Sequence, residues 1–516
     1  MSALSIPFLM PRVEETVPDF AILKDRLTGS SVVEERYTAT QVPSSGDTYS
    51  VGTSGTKLMI VRIANQNDYM DTSTFVLNFK AQSATTADVA IDDHIFSLLD
   101  TINVKVGGQT IEVLNNVGHL VNALVQGSMP NNYYEKSGGA EGLYIYSKSN
   151  DTVGAASSIQ PDYVNSAVMR TRWTVGNNWL NNGRYYSVPL TLLGLCRIPT
   201  LFPARNFQDI TLEFLFKSNL QGCCWTQGGA VSSWVGGINI SDVTLTYDCC
   251  RMSADYYALM DNELKMPNGS GCALPIDTYQ VQGAQIAGGS TTTSATGQQG
   301  SLTRIVVAKG TRFLKSVFGV TRPTVADSSS SWRNNSHNGN FGFSSYQVVI
   351  NSKRYPQLQI QSSALQFQEL QKAYNMLGSI ASGSPQNWFN WVGHPFPRTY
   401  GGTTYSGTGL VTTQDAVGNV KDGSTLGASF GDECMFQNGV NLEQFLTNQP
   451  DAGGINTSTS GYQIAIELAN NGLTLSPTAA TTTFATAYAS AGLTHYVILH
   501  FTRVLTLKAG AVEILD

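Results

Sequence analysis

Apolar positions alternate with polar ones through much of the chain, the period of a strand with one buried face. Ile102, Val104 and Val106 show it clearly, and Leu58 to Ile63, Thr74 to Phe79, Ile210 to Phe216, Val243 to Tyr247 and Tyr346 to Ile350 are rich in β-branched and aromatic residues. Gly107-Gly108 supplies a tight turn from the first of these into Thr110 to Val113, which makes a hairpin. Two segments change period. Val117, Leu120, Val121, Leu124 and Val125 recur at helical spacing, with Asn115 or Asn116 before them and Gly127 and Pro130 after. Ser363 and Gln366 form a capping-box pattern ahead of Ala364, Phe367, Leu370, Tyr374 and Leu377, and Gly378 follows.

The order strand, turn, strand, helix, glycine therefore occurs twice. Val348 stands against Val104, Gly378 against Gly127, Ile464 against Ile210 and Ile498 against Val243, a period of about 250 residues that drifts by about ten, as loops of unequal length allow. A period this long makes each copy a complete domain and excludes a solenoid or propeller. The pattern predicts residues 1–45 as an extended arm, 46–265 as one β domain and 275–516 as a second, joined through the Pro/Gly-rich stretch Met266 to Leu274. Residues 128–185, 288–300 and 381–440 read as loops.

Composition narrows the class. Only 13% of the 516 residues are charged, about half the roughly 25% of an ordinary soluble domain, which excludes coiled coils and solvated helical proteins. A net charge of −6 without a basic run argues against a nucleic-acid binder. The first forty residues lack the pattern of a signal peptide, so synthesis is expected in the cytosol or nucleus, without secretion. The most apolar window, Val188 to Phe202, is interrupted by Pro189, Arg197 and Pro199 and is too short to span a bilayer. Seven cysteines in a long chain do not suggest a disulfide framework. The pairs Cys223-Cys224 and Cys249-Cys250 lack the spacer of a zinc site and read as buried free thiols.

No phosphate loop, nucleophile elbow or His-Glu-x-x-His motif is present. His495 and His500, five apart, face opposite sides of a strand. His94 beside Asp92 and Asp93 reads as a satisfied surface histidine rather than a base, and Asp432 and Glu433 beside Cys434 as a chance carboxylate pair rather than a glycosidase centre. Arg197, Arg205 and Arg251 read as surface or inter-subunit ion pairs in preference to an anion site. Trp388, Phe389 and Trp391 near His394-Pro-Phe-Pro397 read as aromatics that cap a core or bury in a neighbouring subunit in preference to a sugar-stacking platform, and with the Asn/Thr-rich surface they motivate a second reading as a carbohydrate-binding or glycan-active β-sandwich.

The run Ile198-Pro-Thr-Leu-Phe-Pro-Ala-Arg-Asn-Phe-Gln-Asp-Ile-Thr-Leu-Glu-Phe214, a Gly-rich excursion, and then Ser241-Asp-Val-Thr-Leu-Thr-Tyr-Asp248 with Arg251 resemble the end of the first barrel in the double jelly-roll major capsid proteins. These are found in polinton-like viruses, virophages and nucleocytoplasmic large DNA viruses. Tyr346 to Ile350 leading into Lys353-Arg-Tyr-Pro356 and a helix resembles them too. The resemblance implies an all-β fold of two consecutive eight-stranded jelly rolls, each with a short amphipathic helix and long loops. It implies a structural protein of the virion that forms homotrimeric, pseudo-hexagonal capsomers of an icosahedral double-stranded DNA virus shell. Its partners would be copies of itself, penton and minor capsid proteins, and an internal membrane, with no direct contact to nucleic acid. No enzyme activity is expected, and no catalytic, cofactor-binding or metal-binding residue is assigned. Low charge then has a cause, since the cores of protein interfaces are depleted in Lys, Glu and Asp.

Overall fold

The computed structural model describes residues 33–52, 57–63, 67–85, 89–91, 94–128, 183–198, 200–207, 209–220, 223–226, 232–233, 236–265, 271–286, 295–296, 302–323, 343–360, 363–374, 398–400, 403–405, 437–443, 454–458, 463–470, 474–475, 493–508 and 511–515. The first half contains β1 (Val33–Gln41), β2 (Tyr49–Val51), β3 (Leu58–Ile63), β4 (Tyr69–Ser83), β5 (Leu99–Val106), β6 (Gln109–Asn115), helix α1 (Val117–Ser128), β7 (Arg184–Pro189), β8 (Ile210–Phe216) and β9 (Ile238–Met252). Helix α2 (Ala254–Lys265) leads to the second half: β10 (Cys272–Ile286), β11 (Leu302–Val307), β12 (Phe313–Pro323), β13 (Phe343–Ile350), β14 (Lys353–Ile360), helix α3 (Ser363–Ala373), β15 (Asn438–Asn441), β16 (Ile464–Asn470), β17 (Leu493–Lys508) and β18 (Ala511–Leu515).

Each half builds two antiparallel sheets with the same connectivity. In the first, β1 and β2 lie along β9, which pairs with β4 and β4 with β7; the facing sheet runs β3, β8, β5, β6. In the second, the order is β10, β17, β12, β15 against β11, β16, β13, β14, and β18 adds to β17. Strands distant in sequence are neighbours, and a five-stranded and a four-stranded sheet enclose each core: the arrangement is a jelly roll, present twice. The expected fold class is therefore the observed one. The hairpins β5–β6 and β13–β14 correspond and use the same device, two left-handed residues. Gly107 and Gly108 have φ of 55° and 78°, and Asn351 and Ser352 have 47° and 67°, the type I′ pattern that matches strand twist.

The two rolls differ in how much of their first sheet meets solvent, and the sequence pattern records it. In β9, Val243, Leu245, Tyr247 and Cys249 point into the first roll, while Thr244, Thr246 and Asp248 point outward, so the strand alternates. In β17, Val497, Leu499 and Phe501 enter the second roll's core, whereas Tyr496 and Ile498 join the apolar cluster that runs through the first roll. A strand buried on both faces reads as a continuous apolar run, here Tyr496-Val-Ile-Leu499. The outer face of β12 behaves likewise: Phe318 stacks on Tyr374 just beyond α3, ring centroids 4.5 Å apart. Each fully buried Leu, Ile or Phe on this seam is worth about 1.5–3 kcal/mol.

Several elements fall outside the expected pattern. Val33–Gln41, within the stretch read as an arm, is an edge strand hydrogen-bonded to β9. Helix α2 was not anticipated, and β10 begins at Cys272 inside the expected join; Pro275 is accommodated there because β10 is an edge strand. Residues 438–440, within the stretch read as loop, belong to the strand β15. Ala364, placed on the apolar face of α3, is exposed, while Leu370 is buried; Leu377 and Gly378 lie outside the described residues.

Candidate functional site

The two rolls meet along a seam where buried polar and charged side chains from both converge. From the first roll come Glu112 on β6 and the 3-10 turn Gly194–Arg197 after β7. From the second come Asp277, Thr278 and Tyr279 on β10, Lys315 on β12, and His500, Thr502 and Arg503 on β17.

Glu112 is 0% exposed. Both its carboxylate oxygens accept from the backbone N–H of Gly194 at 3.0 Å, and Oε1 accepts from the Thr278 hydroxyl at 2.6 Å, so one side chain is bonded in both rolls. Burial pushes its pKa above the ordinary carboxylate value, opposed by these two hydrogen bonds and by Arg197 and Arg503. Arg197 donates to the Tyr279 hydroxyl at 3.0 Å and to the Asp277 carbonyl, with its guanidinium 4.8 Å from the Tyr279 ring centre. Arg503 answers in the other direction, donating to the Ile111 carbonyl at 2.7 Å. Lys315 pairs with Asp277 at 2.7 Å, and the Thr502 hydroxyl donates to the same oxygen at 2.6 Å. Burial raises Asp277, yet Lys315, His500 and Thr502 together hold it below its ordinary value.

Further along the seam the helices take over. The Tyr374 hydroxyl and the Gln437 side-chain amide both donate to the Ala123 carbonyl of α1, at 3.0 and 3.2 Å. At the exit of the first roll, Asp68 accepts from Tyr37 of β1 and Tyr257 of α2, 2.7 Å each, which ties the edge strand and the connecting helix together.

The sequence-derived candidates fare differently. Arg197 is a correction: it lies within the seam rather than on the surface, because the outward face of its turn is covered by β10. Arg205 and Arg251 do pair near the surface, with Asp261 at 3.5 Å and Glu35 at 2.8 Å, and their partners belong to the same chain. The three arginines do not converge as an anion site. His94 is buried rather than on the surface; its Nδ1 accepts from the Phe96 N–H at 2.9 Å, and burial lowers its pKa to about 3. His495 and His500 lie on opposite faces of β17, His495 toward Tyr346 in the second roll and His500 toward Tyr279 at the seam. Six cysteines, 196, 223, 224, 249, 250 and 272, are buried thiols that form no disulfide, and burial pushes Cys249 to about 11 and Cys272 to about 12. Asp92, Asp93, Trp388, Phe389, Trp391, His394, Asp432, Glu433 and Cys434 lie outside the described residues. Among the described residues, no group of three or more His, Cys, Asp or Glu could hold a metal ion, and no helix is long and apolar enough to cross a membrane.

Glu112 escaped sequence reading, since alternation in Thr110 to Val113 assigns it to the solvent face, and that face is where the second roll sits. Helix α2 left a faint signal: Tyr256 and Leu264 are buried and Met260 half-buried, every fourth residue, behind a Ser253 whose hydroxyl accepts from the Tyr256 N–H at 3.4 Å.

Two jelly rolls in tandem, locked by a buried polar seam, define the chain as a double jelly-roll protein. Solved structures with this fold match along nearly its whole length. The quasi-atomic model of the PBCV-1 virus capsid covers 94% of the chain and 98% of its own, with 11% identity and a TM-score of 0.52. The Faustovirus major capsid protein covers 96% and 98%, with 8% identity and a TM-score of 0.52. The Sputnik virophage structure covers 100% and 94%, with 10% identity and a TM-score of 0.50. No family model matches the chain. No curated protein matches it either.

Proposed function

We propose that this chain is a major capsid protein that self-assembles into the icosahedral shell of a double-stranded DNA virus. The observation that carries this reading is the full-length double jelly roll shared with capsid proteins, with almost nothing left over on either side of the comparison. On this reading residues 46–265 and 275–516 are the two rolls, and residues 1–45 an arm whose last part, Val33–Gln41, runs along the first roll's edge. Three copies then place six rolls in a ring of nearly hexagonal outline, and closed symmetry puts the same surface of every copy into contact. The chain acts by shape and burial, without turnover, and resides in the virion after synthesis in the host cytoplasm or nucleus. Penton proteins, minor capsid proteins and an internal membrane are its remaining neighbours, and its net charge of −6 leaves the genome to other components.

A seam that fixes the angle between rolls suits this role, because an error in that angle would be repeated in every capsomer. Native mass measurement of the purified protein tests the reading: a species of three times the 55.5 kDa chain is expected. A stable monomer at micromolar concentration contradicts it.

A further inference from the structure

The seam holds two histidines, one from each roll: His119 lies against a cation, and His500 lies among charges of both signs. His119 on α1 stacks on Tyr496 of β17, ring centroids 4.2 Å apart, and its Nδ1 lies 3.2 Å from a guanidinium nitrogen of Arg322 on β12. A guanidinium can only donate, so this Nδ1 accepts and carries no proton. Both side chains are buried, Arg322 completely. His500 on β17 lies flat on Tyr279, 4.7 Å between centroids, with Nδ1 3.2 Å from the Ser316 hydroxyl. Its Nε2 is sealed from solvent and has no hydrogen-bond partner. Charged groups face His500 from every side: Asp277 from β10, Lys315 from β12 and Arg197 from the turn of the first roll. Glu112 lies behind Arg197, and Glu443 faces Asp277 and Lys315.

We propose that this seam is an acid-opened latch, in which proton uptake by His119 and His500 loosens the first roll from the second. A proton on His119 sets donor against donor and brings two buried cations within hydrogen-bond distance. A proton on His500 adds a cation beside Lys315 and Arg197, already balanced against Asp277 and Glu112, and its Nε2–H has nothing to bond. Opening the seam hydrates both rings and removes these penalties. His495 and His94, by contrast, lie inside the cores of the individual rolls and gain a proton only when a roll itself opens.

The sign follows from linkage. Burial holds His500 at about 3 in the closed seam against an ordinary 6.5, so the open state binds the extra proton, and opening gains as pH falls below 6.5. A histidine held neutral when closed and free when open raises the opening constant about 25-fold between pH 7 and pH 5. The inference concerns the single chain and stands whether or not it assembles.

Hydrogen exchange read by mass spectrometry on the full chain, corrected for intrinsic rates and taken where exchange reports the opening constant, tests it. Peptides covering β10 and α1 should show the pH 5 to pH 7 ratio rise at least 25-fold over that of β8, which is separated from β6 by β5 and lines the first roll's own core. In the double variant His119→Phe, His500→Phe, which keeps both stacked rings, that excess should vanish. The ratio is taken within each variant, so a weaker seam in the variant does not obscure it; should the Phe pair fail to fold, His119→Gln, His500→Gln gives the same reading. An excess that persists in the double variant, or seam peptides no more pH-sensitive than β8, overturns the proposal.

Discussion

Gly194 and Asp277 touch through their backbones across the seam: a methyl group on Gly194 would overlap the Asp277 carbonyl oxygen and stand 2.6 Å from Cγ2 of Ile276. The first roll therefore approaches the second as closely as a chain without a side chain permits. The same Gly194 N–H serves Glu112, so position and hydrogen bonding are set together.

Gly194→Ala should push the turn off β10 and cost about 1–3 kcal/mol, the usual range for overpacking a filled site. Urea denaturation of the full chain would show it as a lower midpoint. An unchanged midpoint would mean that the seam is slack at this point.

Removing the Glu112 carboxylate strands the Gly194 N–H and the Thr278 hydroxyl and takes an acidic group from beside Arg197 and Arg503. Glu112→Ala should destabilise by about 3–5 kcal/mol, the range for breaking a buried charged network from one side. Glu112→Gln keeps an acceptor and should cost less, about 1–3 kcal/mol. The order of the two variants in a denaturation series is the test, and equal losses would show that size matters there and hydrogen bonding does not.

Stability should decline in acid. His94 and His495 are both held at about 3 by burial, below the ordinary 6.5, so the unfolded chain binds more protons in between. Their contribution is complete above pH 6.5 and is lost progressively as pH falls toward 3. Asp277, held below 3.8, adds a further loss at the low end of the range. Glu112 has the opposite sign, because its raised value favours the folded chain as pH falls toward 4.5. Unfolding free energies at pH 7.5 and 4.5 should differ less in His495→Leu than in the natural chain.

Surface charge should matter little by comparison. Arg36 bridges Asp71 and Asp248 at 2.9 Å on the exposed face of the first roll. Arg36→Ala should cost under about 1 kcal/mol, and salt should shrink that further. A larger loss in a salt titration of the melting temperature would point to a role for β1 beyond that of an edge strand.

The duplicated architecture was legible because one-sided burial writes itself into the sequence as alternation, as in Ile102, Val104 and Val106, and because each hairpin hands over to a helical spacing followed by glycine. The seam was not. Glu112 and Arg197 sit where a solitary roll would meet water, and nothing in a local pattern tells solvent from a second domain. Helix α2 was hidden for a related reason: its three inward residues, Tyr256, Met260 and Leu264, are diluted by Asp255, Asp261 and Asn262, which suit a helix lying on the outside of the junction. The resemblance to capsid proteins rested on Ile198 to Phe214 and Ser241 to Asp248, and the strand-forming parts of these runs, Ile210 to Phe214 and Ser241 to Asp248, lie in β8 and β9, one in each sheet of the first roll.

Electron microscopy of the purified full-length protein tests the central claim most directly. Class averages should show particles of near-hexagonal outline with six rolls around a threefold axis. Isolated two-lobed particles at the same concentration would contradict the account.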